Sequence, residues 1–192
     1  MGWITPLDEE RWTRAAQRGD VEAFDRLVEA YEAMAYHVAY RIVQDPHDAA
    51  DATQDAFLAA YRAIGSLRGA FRPWLIRIVA NASHDVRRRG GGGRTASLEM
   101  TVEAMGEPFA APDPSIDPEA AALSRETIGS IEAALGKLPE DQRLAVILVD
   151  VHGLAYEEAA QAMDCPVGTV RSRLARGRDR IRQLLTAAGS IE

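Results

Sequence analysis

The sequence predicts an all-α fold: two small helical domains joined by a flexible, acidic linker. Three observations carry this expectation. Apolar residues recur at i, i+3, i+4 through most of the 192 residues, whereas strand-like alternation hardly occurs. Helix-start signals, Asp45-Pro46, Asp117-Pro118 and Leu138-Pro139-Glu140, stand ahead of periodic stretches. After Gly90-Gly91-Gly92-Gly93, residues 94–116 are rich in Gly, Pro, Ala and acids and carry no sustained period. The boundaries follow: one domain over 1–90, a linker with the start of the next helix over 91–124, and a second domain over 125–192.

A first helix is expected from about Asp8 to Arg18, with Trp12, Ala15 and Ala16 on its buried side and Gly19 ending it. Asp20 is an N-cap for a long helix to about Val43, whose apolar stripe is Phe24, Leu27, Val28, Tyr31, Met34, Ala35, Val38 and Ile42. From Asp45-Pro46 a third helix runs to about Ile64 over Ala49, Ala52, Ala56, Phe57, Ala60, Tyr61 and Ile64. Asp48, Asp51 and Asp55 share one face of it, with Gln54 beside them. By themselves these residues suit either a solvated face with charges well placed near a helix N-terminus or a docking surface.

Gly65 to Ala70 reads as a loop, and Pro73 opens a helix reaching about Arg89. Leu75, Ile78, Val79, Ala82 and Val86 share one arc, and Arg77, Asn81, His84 and Arg88 another, with Trp74 and Asp85 at the border. A basic stripe with an aromatic edge suits phosphate and base contact, although the terminal arginines also complement a helix dipole. Beyond the linker, one helix should end near Leu135, and the next should run from Glu140 to His152-Gly153. A short helix from Tyr156 to Met163, the turn Asp164-Cys165-Pro166 and a longer arginine-rich helix complete a helix-turn-helix, with Pro166 able to take the first helical position. On that last helix Val167, Val170, Leu174, Ile181 and Leu185 fall on one side, and Thr169, Ser172, Arg173 and Arg176 on the other. Arg178, Arg180 and Arg182 lie further along, where phosphate is the commoner partner.

The formal net charge of -7 looks wrong for a nucleic-acid binder until it is located. Residues 91–124 hold Arg94 against six acids, whereas 68–89 and 166–187 each carry six Arg against one Asp. Two basic patches flank an acidic connector, which makes two nucleic-acid contacts plausible. The lone Cys165 rules out an internal disulfide. The N-terminal residues lack a basic n-region and apolar h-region, no apolar run approaches a bilayer span, and a cytoplasmic protein without membrane insertion is expected. His37, His47, His84 and His152 are scattered, and no metal, cofactor or nucleophile motif stands out, so no catalytic residue is assigned.

Asp48-Ala49-Ala50-Asp51-Ala52-Thr53-Gln54-Asp55-Ala56-Phe57, then Phe71 through Asn81 with Asp85 and Arg87-Arg88-Arg89, then Leu138-Pro139-Glu140 with Arg143, and finally Pro166 through Arg178, stand in a defined order. In this order they resemble regions 2.2, 2.3–2.4 and 4 of bacterial sigma factors of the extracytoplasmic-function group. The resemblance implies a factor that binds core RNA polymerase and directs promoter-specific initiation, and that is not itself an enzyme. It implies that Asp48, Asp51, Gln54 and Asp55 dock on the β′ clamp helices. Arg68, Phe71, Trp74, Arg77, Asn81, His84, Arg87, Arg88 and Arg89 would engage the −10 element as it melts. Thr169, Arg171, Ser172, Arg173, Arg176 and Arg178 would read the −35 element. Control by an anti-sigma factor is implied as well. The chain departs from the family at Ala155, where Ser or Thr commonly caps, at Ala160, where a larger apolar residue is usual, and in its four-glycine run. Two rivals stand beside this reading. A helix-turn-helix regulator of the LuxR type would use the last 55 or so residues and leave the upstream faces unexplained. A small metal-dependent hydrolase would need a ligand set.

Overall fold

The computed structural model describes residues 5–89 and 118–189; most of the stretch expected as linker lies outside the described residues, as does Asp117. Among the described residues there are eight α-helices and no strand: α1 (Pro6–Gln17), α2 (Val21–Val43), α3 (Pro46–Ala63), α4 (Phe71–Arg89), α5 (Pro118–Gly136), α6 (Glu140–Val146), α7 (Tyr156–Ala162) and α8 (Val167–Ala187). A 3₁₀ turn, Ile64–Ser66, extends α3, and a π-helical turn, Ile147–Val151, extends α6.

α1 to α4 form the first helical unit, with α2 at its centre against α1, α3 and α4. That position explains why α2 buries more than one stripe: Tyr36 and Ala39 join Phe24, Leu27, Tyr31, Ala35, Val38 and Ile42 in the core. α3 packs closely because its inward face is small, with Ala49, Ala52, Ala56 and Ala60 all fully buried. The expected core position Tyr61 is instead 47% exposed, its ring edge-on to Phe24 at 5.0 Å.

Helix ends follow local chemistry. Asp20 accepts from the Ala23 amide, and Asp45 accepts from His47 and Asp48. α1 starts two residues earlier than expected, because Thr5 accepts from the Asp8 amide and Pro6 takes an early helical position. α4 also starts early, at Phe71 rather than Pro73. The Phe71 amide donates to Glu9 Oε1 at 3.1 Å, so a carboxylate of α1 serves the positive end of α4. The same Glu9 accepts from Tyr31, and burial first, then this contact, holds the Tyr31 phenol far above its ordinary pKa. Gln17 donates to the carbonyls of Ile64 and Leu67, fixing α1 on the turn before α4.

α5 to α8 form the second unit. Leu135, Leu138, Ala145, Val146 and Leu174 make one small core. α8 crosses α6 at Gly177, where a Cβ would lie 2.8 Å from Val146 Cγ2 and 3.2 Å from the Gln142 carbonyl oxygen. Glycine here is a matter of close approach rather than of backbone angle. Gly177→Val should cost about 1–3 kcal/mol through overpacking. A thermal melt by circular dichroism measures it, and an unchanged midpoint would show that the crossing can spread.

The two units are packed together. α7 lies on α4 and α6 touches α2. Leu144, Ile147, Leu148, Leu154, Ala159 and Ala160 belong to the same apolar cluster as the core of the first unit. Arg41 pairs with Glu132 at 2.7 Å, and the nearly buried Arg143 donates to the Arg41 carbonyl at 3.0 Å. α4 buries Ile76, Ala80 and Ser83 beyond the arc expected from periodicity.

Candidate nucleic-acid and protein interfaces

The acidic face of α3 is outward. Asp51, Gln54 and Asp55 are exposed and Asp48 is half-buried. Asp55 lies 3.8 Å from Arg89, while Asp51 and Gln54 make no ion pair or side-chain hydrogen bond among the described residues. Beside them a groove of about 560 Å³ runs between α2 and α3, lined by Val21, Val28, Phe57, Leu58 and Tyr61 and by Gln54 itself. Val21 and Leu58, at 52% and 47% exposure, leave much apolar surface to solvent there.

α4 carries the second face. Arg77 and Asn81 are exposed, His84 is half-buried, and Arg87, Arg88 and Arg89 are exposed at the helix end. Arg77, Asn81, His84 and Arg88 share one stripe, with Arg87 and Arg89 to either side of it, and most of these side chains are engaged. Arg77 Nη2 donates to Asp164 Oδ2 at 2.9 Å. His84 Nδ1 stands 2.9 Å from Glu140 Oε1, and Arg87 donates to the other oxygen of the same carboxylate. Arg88 pairs with Asp85 on its own helix. Arg68 is exposed in the loop before α4. Phe71 is different in kind: it is 1% exposed, packed on Tyr31 at 5.7 Å and Trp74 at 5.8 Å, and fills the core rather than a surface. Trp74 is half-buried against the same cluster.

α7 and α8 form the helix-turn-helix. Ala155 lacks a capping side chain, yet its amide donates to Glu158 at 2.9 Å, so half of the usual reciprocal arrangement survives without Ser or Thr. Ala160 is 8% exposed in a closely packed helix. The turn is made by Asp164 at φ 49°. Pro166 sits at the N-cap, with α8 beginning one residue later at Val167. The buried side of α8 is Val170, Leu174 and Gly177, with Val167, Ile181 and Leu185 partly covered.

The outer side of α8 does not treat its arginines alike. Arg171 is exposed, its guanidinium 5.4 Å from the Tyr156 ring centre. Arg176 is exposed and folds back on Ser172, donating to its carbonyl at 3.2 Å. Thr169 is half-buried in the first turn. Arg173, by contrast, turns sideways: its side chain is 23% exposed, paired with Asp141 and near the Cys165 thiol. Arg178 is held by Asp150, with Nε donating at 3.0 Å. The sequence reading did not assign Asp141, Asp150, Asp164 or Glu140 to these arginines. Their acidity alone marked them, and only the helix crossings say which cation each meets. Among the described residues no cluster of His, Cys, Asp or Glu is suited to a metal ion, and no helix is long and apolar enough to cross a membrane.

Two basic helix faces, one on the second helix of a helix-turn-helix and one on a helical unit that also carries an acidic face, have the character of a DNA-binding protein. Family models agree in detail: Sigma-70 region 2 matches residues 27–92, and Sigma-70, region 4 matches residues 128–181. The chain is 38% identical to the RNA polymerase sigma-H factor of Pseudomonas aeruginosa, over 95% of this chain and 96% of that one. It is also 38% identical to the ECF RNA polymerase sigma-E factor of Escherichia coli K12, over 91% and 93%. Among solved structures it resembles CnrH in complex with the cytosolic domain of CnrY, with a TM-score of 0.67 and 25% identity over 94% of this chain and 98% of that chain. The fold also matches the sigma factor RpoE of Bartonella quintana, determined with the anti-sigma factor NepR, with a TM-score of 0.64 and 22% identity over 85% and 96%. The chain belongs to the sigma-70 family, in its extracytoplasmic-function group. It is thus a transcription initiation factor, not an enzyme.

Proposed function

We infer that this sigma factor meets core polymerase through the outer face of α3, holds the melting −10 element along α4, and reads the −35 element with α8. The observation that carries the first part is the combination on α3 of exposed, unengaged Asp51 and Gln54 with an apolar groove at their side. Carboxylates steer a basic partner helix toward the face, and the apolar floor supplies contact area once it arrives. For the −10 element the surface set is Arg68, Trp74, Arg77, Asn81, His84, Arg87, Arg88 and Arg89, with Phe71 acting from the core by supporting Trp74. For the −35 element the best placed are Arg171, Ser172 and Arg176; Thr169 stands nearest the start of the helix, and Arg173 and Arg178 reach DNA only by leaving Asp141 and Asp150. A division at the linker lets each unit follow its own promoter element. Such a factor works in the cytoplasm. Control by an anti-sigma factor is supported by the complex of one structural relative, RpoE, with the anti-sigma factor NepR.

The test is charge reversal. Asp51→Arg together with Asp55→Arg should weaken binding to core polymerase roughly tenfold in a fluorescence anisotropy titration, with helix content unchanged by circular dichroism. Unaltered affinity would remove α3 from the polymerase interface.

A further inference from the structure

The loop that leads into α4 has little packing of its own. Of residues 65–70 only Leu67 is buried; Gly65, Ser66, Arg68, Gly69 and Ala70 are exposed. A cavity of about 960 Å³ opens beside the loop, lined by Gln17, Leu67, Gly69 and Ala70 among others. Gly69 turns the chain at φ 101° and has no side chain to anchor it. With so few buried contacts, the path of the loop depends on the polar bonds at its ends. Both ends are held by α1. At the front, Gln17 Nε2 donates to the carbonyl oxygens of Ile64 and Leu67 at 3.3 and 3.1 Å. At the rear, Glu9 Oε1 accepts from the Phe71 amide at 3.1 Å, and the other oxygen of Glu9 accepts from the Tyr31 hydroxyl. Tyr31 belongs to the buried stripe of α2, so the carboxylate is fixed from behind where it meets α4. Glu9 and Gln17 lie roughly 80° apart around α1 and face the same side.

We propose that Gln17 and Glu9 of α1 are positioning residues for −10 selection: they grip the two ends of the 65–70 loop and so set where Arg68 and the first turn of α4 meet the opened strand. The proposal rests on the reading of Arg68 and α4 as the −10 face and adds what shapes that face. Arg68 follows directly on Leu67, whose carbonyl Gln17 holds, and Arg72 follows directly on Phe71, whose amide Glu9 holds. A reading group discriminates between bases only when it is kept within about 0.5 Å of its productive position. An exposed loop beside a cavity does not keep that tolerance unaided, and two side chains from a neighbouring helix supply it. Neither Gln17 nor Glu9 belongs to the basic stripe. Their loss therefore blurs the choice of sequence and takes no cation away from the DNA.

The experiment uses the full chain in holoenzyme and two pairs of promoters, one pair differing by a single base in the −10 element and the other by a single base in the −35 element. The readout is the ratio of transcription rates within each pair, in which any loss of folded protein cancels. Gln17→Met keeps the length and helix preference of the side chain but cannot donate, and Gln17→Lys restores a donor. Glu9→Ala removes the acceptor at the other end. Gly69→Ala disturbs the loop directly, since alanine is strained at φ 101° yet meets no neighbour there. Gln17→Met and Glu9→Ala should each lower the −10 ratio roughly fivefold to tenfold and leave the −35 ratio at its wild-type value, with Gln17→Lys returning toward wild type. Equal falls in both ratios overturn the proposal, because α1 would then act on the fold at large. A −10 ratio as low in Gln17→Lys as in Gln17→Met overturns it too, since donation would not be the cause. If Gly69→Ala lowers the −10 ratio and the Gln17 and Glu9 variants do not, the loop reads the −10 element without a brace: the proposal is lost and the −10 reading stands. If none of the variants moves the ratio, the loop takes no part in −10 selection, and the proposal falls together with that reading of the loop.

Discussion

Alanine at both Arg171 and Arg176 should abolish most of the −35 preference. Each guanidinium stands on the exposed side of α8, and a good bidentate contact to guanine is worth roughly 1–3 kcal/mol of discrimination. The double variant should therefore lose about 100-fold or more in the ratio of affinities for a native and a scrambled −35 element, measured with holoenzyme on otherwise identical promoters. Arg182 is the contrast. It lies further along α8 and pairs with Asp179 on its own helix. Arg182→Ala should weaken both promoters alike and reduce the salt dependence by about one charge. Identical selectivity profiles for the two variants would count against the division of α8 into reading and phosphate-contacting parts.

Stability should fall as pH drops from about 6.5 toward about 4 through one buried histidine. His152 is 8% exposed, its ring stacked 6.3 Å from that of His37, and its Nε2 has no partner among the described residues. Burial first, then the neighbouring His37 and Arg72, pushes its pKa down to about 4. In the unfolded chain it returns to about 6.5. Above that value both states are neutral at this site and no pH dependence arises. As pH falls from 6.5 toward 4, only the unfolded chain takes the proton, and stability drops by up to roughly 3 kcal/mol; below 4 the loss is complete. Carboxylates contribute their own acid dependence, so the readout is a difference. Denaturant midpoints of wild type should fall more steeply across this window than those of His152→Gln. Parallel profiles would mean that His152 is solvated in the native protein.

Much of this was legible in the sequence because it depended on near neighbours. Helix periods, the Asp20 and Asp45 caps, the proline starts and the buried alanines of α3 are all local statements, and each helix stands within a few residues of its expected place. What the sequence did not disclose depends on distant partners. α4 begins at Phe71 because Glu9, 62 residues away, serves its first amide. Phe71 looks like a surface aromatic next to a basic stripe, but Tyr31 and Trp74 enclose it. Arg173 falls on the reading side of a helical wheel, yet a wheel has no knowledge of α6, whose Asp141 draws it aside. Gly177 carries no local signal of its crossing, since a helix interior does not ask for glycine. Ile76, Ala80 and Ser83 are buried on α4, a helix that packs on α7 of the second unit as well as on α2 and α3.

The unequal cover of the two basic faces has a consequence in time. On α8, Arg171, Ser172 and Arg176 stand open, whereas on α4 Arg77, His84 and Arg87 are occupied. On the proposed assignment of α8 to the −35 element and α4 to the −10 element, a chain in this form can sample intact duplex with its last helix while Arg77 and Arg87 of α4 stay paired within the protein.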